Sequence, residues 1–218
     1  MARGLFVTGT DTGVGKTVVS AAVMRRYRAH APLRYWKPIQ TGIEQDDDTA
    51  EVRRLADCEA DEIRPDGIRL PRPLSPHLSA RLAGTRIVLD TLGRDLDAAH
   101  RWVVEGAGGV LVPLNEQALM VDLMAQLALP VLVVARATLG TINHSLLTVG
   151  TLRAHGLAVA GVVLVGEPNA ENRQAIEHYG HVPVVGELPH FQPLTPERLA
   201  DWAAGQLDPD QRLAEVFA

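Results

Sequence analysis

Lys16 and Lys37 are the only lysines among 21 Lys and Arg residues, and each stands where phosphate chemistry calls for a primary amine. Arginine is a planar fork that essentially never deprotonates, whereas lysine is a compact charge on a long stem that can reach a single oxygen. A chain that uses arginine everywhere else keeps lysine here for reach and shape. Lys16 lies in the stretch G-T-D-T-G-V-G-K-T from Gly9 to Thr17, after the apolar run Leu5 to Val7 and before a helical pattern starting at Val18. Strand, glycine loop and helix in that order make a phosphate cradle. Gly13 and Gly15 admit close backbone approach, successive N–H groups through Val14 surround an anion, and the helix behind adds roughly half a positive charge. The loop departs from G-x-x-x-x-G-K-[ST] at one point, since Thr10 holds the first glycine's place and Gly9 comes one residue earlier. Lys16 would hold the β and γ oxygens and the Thr17 hydroxyl would ligate Mg²⁺. A glycine turn capped by threonine is the alternative, and the agreement of strand, loop, Lys-Thr and helix disfavours it.

Three further positions extend this chemistry. Lys37 ends a strand pattern in Y-W-K-P-I-Q-T-G. Such a lysine can snorkel from a strand end, but the scarcity of lysine favours function, with Thr41 and Gly42 supplying a hydroxyl and a permissive turn for a small polar substrate. Asp48, with Glu51 three residues on, reads equally as a helix capping box or as a metal ligand. Glu105 closes the apolar run Trp102 to Val104 and precedes Gly106, Ala107, Gly108 and Gly109. An acid ending a buried strand is costly unless paired or metal-bound, and here Mg²⁺ is favoured over a simple ion pair.

The elements that must position these groups alternate between short β-rich runs and longer helical patterns. Strands are predicted at 5–8, 33–37, 102–105, 131–135, 159–165 and 182–185. Helices are predicted at 17–30, 49–56, 87–100, 120–127, 142–155, 170–179 and 196–204. Runs such as Val131 to Val134 are apolar on both faces, which marks a parallel sheet covered on each side. The expected fold is α/β, one domain over residues 1–218, with a mostly parallel, doubly wound sheet, helices on both faces and ligands beyond the carboxyl ends of the strands. A net charge of -5 and dispersed arginines argue against a nucleic-acid surface. A single cysteine, Cys58, allows no intrachain disulfide. The apolar stretches fall short of the roughly 18 residues a membrane span needs, and the first strand starts at once, so a soluble cytoplasmic chain is expected.

Taken together and in order, the motifs resemble those of the dethiobiotin synthetases, P-loop enzymes that close the ureido ring in biotin biosynthesis. The resemblance runs from Gly9 to about Phe191. It rests on the loop, K-P-x-x-[ST]-G at Lys37, S-P-H at Ser75 to His77, E-G-A-G-G at Glu105, G-x-I-N-H at Gly140 to His144 and G-E-L-P at Gly186 to Pro189. It implies ATP, CO2 and 7,8-diaminopelargonate as substrates, and dethiobiotin, ADP and phosphate as products, by way of a carbamate and a carbamic-phosphoric anhydride. It further implies Lys37 as catalytic lysine alongside Lys16, and Thr17, Asp48 and Glu105 on Mg²⁺. Gly13 to Val18 and Glu105 to Gly108 would surround the nucleotide, with Pro189, His190 and Phe191 near its base or ribose. Thr12 and Thr41 would lie near the diamine. Family members are homodimers, so Asn143, in the helix start 140–144, would serve the neighbouring subunit's substrate.

One departure stands out within that resemblance. Many relatives carry an asparagine after the strand matching 159–164, and its amide reads adenine; here Val165 and Gly166 stand in its place. Base discrimination must then come from backbone groups or be weak. The alternative function is a switch ATPase of the partition or nitrogenase-iron-protein kind, acting on a protein partner. Those relatives place a lysine where this chain has Asp11. A cobyrinate amidotransferase synthetase would need a nucleophilic cysteine motif, which Cys58 does not provide.

Overall fold

The computed structural model describes residues 2–218. In chain order its elements are β1 (Arg3–Gly9), α1 (Lys16–Tyr27), β2 (Leu33–Trp36), β3 (Ile39–Thr41), α2 (Asp48–Ala56), β4 (Ile63–Arg64), β5 (Ile68–Leu70), α3 (Pro76–Leu82), β6 (Arg101–Gly109), α4 (Met120–Leu127), β7 (Val131–Arg136), α5 (Thr141–Ala154), β8 (Val159–Val165), α6 (Ala170–Gly180), β9 (Val184–Leu188) and α7 (Pro196–Gly205). Seven strands form one sheet in the order β4-β2-β6-β1-β7-β8-β9, and every neighbouring pair is parallel. β3 and β5 pair separately, also in parallel.

Alternation along the strands explains the layering. In β1, Phe6 points into one core with Val131 and Val133, while Leu5 and Val7 enter the other with Leu132 and Val134. Helices α3 to α6 cover the first face through Ala80, Leu123, Leu152 and Ile176, and α1, α2 and α7 cover the second through Val19, Leu55 and Trp202. Strands apolar on both faces demand two helical layers. Among the described residues no helix is long and apolar enough to cross a membrane. The carboxyl-terminal segment seals the second face. Phe217 stacks on Tyr27 with ring centroids 4.5 Å apart, and the Tyr27 hydroxyl donates to buried Asp208 at 2.5 Å.

Three expectations need correction. The helix predicted at 87–100 is absent; only a short 3-10 turn forms at Leu89–Thr91. Gly93 adopts φ 73, and a Cβ there would sit 2.4 Å from the Leu127 side chain. The carbonyls of Ile87 and Leu92 are taken by the side-chain amides of Asn115 and Gln126, so Ile87 and Leu92 are buried by a looping chain. Secondly, β6 runs on through Gly109, which places Glu105 within the strand rather than at its end. Gly106 permits this, since a Cβ there would meet the Phe6 ring at 2.9 Å. Thirdly, the strand predicted at 182–185 lies at Val184–Leu188, in register with β8 through Val165 and Leu188. Strands β3 to β5 and helix α3 were not predicted, being too short for a periodic signal.

Candidate active site

Central β1 delivers the glycine loop to the carboxyl edge of the sheet, beside the strands β6 and β7 that flank it. Gly13 and Gly15 take φ 68 and 100, the left-handed region that favours glycine. Lys16 opens α1 and is buried, with Nζ donating to the Asp11 carbonyl at 2.9 Å. Burial, and then the nearby Lys37 ammonium, lower its pKa to about 8.

Register brings the remaining groups together. Tyr35 faces Val103 and Trp36 faces Val104 in the β2–β6 pairing, so the next residue, Lys37, comes to Glu105. Lys37 Nζ lies 2.7 Å from Glu105 Oε1, 2.5 Å from Asp48 Oδ2 and 3.1 Å from the Gly106 carbonyl, which matches three protons to three acceptors. Burial pulls the Lys37 pKa down, but Glu105 and Asp48 outweigh it and hold the group above the ordinary lysine value. Burial likewise raises Asp48, yet Lys37 outweighs it and keeps that carboxyl below its usual range.

Asp48 reaches the cluster from the first position of α2. The helix cap falls on Asp47, whose side chain accepts from the Ala50 N–H at 3.1 Å, so the capping-box reading of Asp48 is overturned. Glu51 instead pairs with Arg54. Thr17 Oγ1 lies 3.0 Å from Asp48 Oδ1 and 3.1 Å from Glu105 Oε1. A hydroxyl has one proton, so one of these oxygen–oxygen approaches has no hydrogen to bridge it. A hydroxyl and two carboxylates are hard oxygen donors that suit Mg²⁺, which takes the rest of its shell from water and phosphate. Among the described residues no group of three or more His, Cys, Asp and Glu converges.

Two cavities meet along the loop. One, of about 590 Å³, is lined by Thr12, Lys16, Thr17, Lys37, Thr41, Asp48, Glu105, Ala107 and Gly108. The other, of about 350 Å³, is lined by Val14, Arg136, Val165, Pro189, His190 and Phe191. Gly13, Gly15 and Val18 belong to both. Gly106 offers its carbonyl to Lys37, and Gly166 stands beside His190, where a Cβ would lie 3.6 Å from Nε2. Asn143 is exposed near the start of α5 and lines neither cavity. Tyr35 escaped the sequence reading, although its hydroxyl donates to Glu105 Oε2 at 2.9 Å. Its spacing of two from Lys37 in a strand pattern was the available signal. Arg136, at the end of β7, was also missed.

Residues 3–198 match a family model described as an AAA domain. The chain is 50% identical over 198 residues to the ATP-dependent dethiobiotin synthetase of Paramagnetospirillum magneticum, covering 91% of this chain and 93% of that protein. It is 45% identical over 199 residues to the protein of the same name from Bradyrhizobium diazoefficiens, covering 91% and 92%. Among solved structures, a ParA family ATPase from Chlorobium tepidum superposes with a TM-score of 0.51 at 9% identity, over 100% of this chain and 98% of that one. That likeness concerns the fold alone.

Proposed function

The chain belongs to the ATP-dependent dethiobiotin synthetases, and from that membership we propose that it joins 7,8-diaminopelargonate to CO2 at the expense of ATP, giving dethiobiotin, ADP and phosphate. The observation that carries this reading is the convergence of Lys16, Thr17, Lys37, Asp48 and Glu105 in the lining of one cavity. Two cations and two carboxylates beside the glycine loop are the charges that a triphosphate's terminal groups and their metal call for.

In the proposed sequence, a substrate amine adds to CO2 and loses a proton to give a carbamate. A carbamate oxygen attacks the γ-phosphorus, the bond to ADP breaks, and a carbamic-phosphoric anhydride forms. The second amine then attacks the carbonyl carbon, the bond from that carbon to the phosphate oxygen breaks, the amine gives up a proton to solvent, and the ring closes as phosphate leaves. The loop's N–H groups hold the phosphates in line, while Lys16 and Lys37 stabilise charge on the transferring group. Tyr35 fixes the Glu105 carboxylate against Lys37. Thr17, Asp48 and Glu105 would hold Mg²⁺, which when bound supplies charge neutralisation at the β and γ phosphates. Thr12 and Thr41 border the diamine, and Val165, Gly166 and Pro189 to Phe191 border the base and ribose. All of this is assigned to residues 1–218 as one domain.

A homodimer is part of the same proposal. Leu111 and Leu147 are 55% and 62% exposed and line one cavity with His144, while Leu139 is fully exposed just ahead of α5. A second copy covering this face would bring Asn143 toward a neighbouring site. The decisive experiment is ADP release with and without diaminopelargonate and bicarbonate. Strong stimulation requiring both supports ring closure, whereas substrate-independent turnover or stimulation by a protein partner would overturn it.

A further inference from the structure

Arg136 closes β7 and turns its guanidinium back over the tip of the phosphate loop. Nη2 donates to the Thr12 carbonyl at 2.8 Å and Nη1 to Asp11 Oδ2 at 3.2 Å. The tip needs such a tie. Asp11, Thr12 and Gly13 are exposed in succession, and a Cβ at Gly13 would meet nothing within 4 Å. Among the described residues, the last backbone bond from this segment to the sheet is Thr10 N–H to the Val134 carbonyl at 2.9 Å. Asp11 then acts as a hub. Its Oδ1 accepts from the Thr12 N–H at 2.7 Å, its carbonyl accepts from Lys16 Nζ at 2.9 Å, and its Oδ2 faces Arg136.

We propose that Arg136 is a positioning residue for the nucleotide: it holds Asp11 and Thr12 in the shape that aims the N–H groups of Gly13 to Lys16 at the phosphates. The inference rests on the nucleotide reading above. A loop ordered in advance does not lose that freedom on binding, and affinity scales with the fraction of molecules already in the competent shape. Arginine is required because one planar fork reaches acceptors on two successive residues, which an ammonium on a shorter stem does not. The two side chains are 48% and 61% exposed, so the contact adds little to global stability and acts on affinity instead.

The test compares wild type, Arg136→Gln and Arg136→Lys by calorimetry with MgADP, by amide exchange across residues 10–16 without nucleotide, and by steady-state kinetics. Arg136→Gln should weaken MgADP binding about tenfold and speed exchange at the tip, with the loss in kcat/KM for ATP falling mainly in KM. Arg136→Lys should be nearly as weak. Wild-type affinity in Arg136→Gln overturns the inference alone, and wild-type affinity in Arg136→Lys shows that charge without the bridge suffices, which also overturns it. A wild-type chain that bound no MgADP would overturn the nucleotide reading and this inference with it.

Discussion

Lys37 Nζ and Glu105 Oε1 lie 2.7 Å apart, with side chains only 3% and 0% exposed. A buried pair of this kind tolerates loss of a partner poorly, because the remaining charge has no solvent to return to. Lys37→Met should therefore destabilise the fold by about 3 to 5 kcal/mol. Lys37→Arg keeps the charge and should fold, yet its fork cannot place one donor on the transferring oxygen. Turnover should fall by about 100-fold or more, roughly 2.7 kcal/mol, with KM for ATP changed only a few-fold. Most of the wild-type turnover in Lys37→Arg would show that this lysine's role is structural.

Asp47 and Asp48 are adjacent in sequence and separable in function. Asp47→Ala removes the α2 cap and should cost about 1 kcal/mol of stability while leaving the Mg²⁺ requirement in place. Asp48→Asn and Glu105→Gln each remove a charged oxygen from the Thr17 cluster and should raise the Mg²⁺ concentration for half-maximal activity by about tenfold or more. Titrating activity against Mg²⁺ in all three variants separates the roles, and a shift confined to Asp47→Ala would reverse the assignment.

Much of this site was readable because phosphate binding leaves local marks. Glycines, a lysine and a threonine must follow a strand at fixed spacing, so Gly13 to Thr17 could be placed from sequence. Lys37, Asp48 and Glu105 were visible as residue types out of keeping with their surroundings. Arg136 and Tyr35 were harder, because their partners are set by strand register, and an arginine 125 residues from Asp11 leaves no local signal. The false helix at 87–100 failed for a related reason. Ile87 and Leu92 are buried while Val88 is exposed, and the carbonyls of Ile87 and Leu92 are taken by the side-chain amides of Asn115 and Gln126, both remote in sequence.

The carboxyl-terminal seal predicts an alkaline sensitivity distinct from the active site. Burial, and then the Asp208 carboxylate, raise the Tyr27 phenol above its ordinary value of 10.0. Above that pH the unfolded chain gives up the proton while the folded chain keeps it, so stability falls as pH rises; below it the contribution is constant. Tyr27→Phe should lose about 1 to 2 kcal/mol at pH 7, since Asp208 keeps two backbone donors. The variant's denaturation midpoint should decline less steeply above pH 10 than that of wild type, and parallel curves would contradict the assignment.

The second cavity, where the proposal sets the base, yields the last prediction. Without an asparagine amide, discrimination could still have come from the backbone of Val165 and Gly166. Two of those groups are engaged elsewhere: the Gly166 N–H donates to the Leu188 carbonyl at 2.8 Å, and the Val165 carbonyl accepts from the Ala137 N–H at 2.9 Å. Val14, Val18, Leu188, Phe191 and Leu194 line the cavity with apolar surface that accepts any base face, while Thr138, His190 and Arg136 supply its polar side chains. Apolar walls favour stacking without reading an edge, and the phosphate contacts do not depend on the base. CTP and GTP should therefore support turnover with kcat/KM within about tenfold of ATP, roughly 1.4 kcal/mol of discrimination. Measuring kcat/KM for the four triphosphates under one set of Mg²⁺ and diamine concentrations tests this. A preference for ATP of several hundredfold would mean that His190 or Thr138 reads adenine, and substituting each with alanine would then identify which.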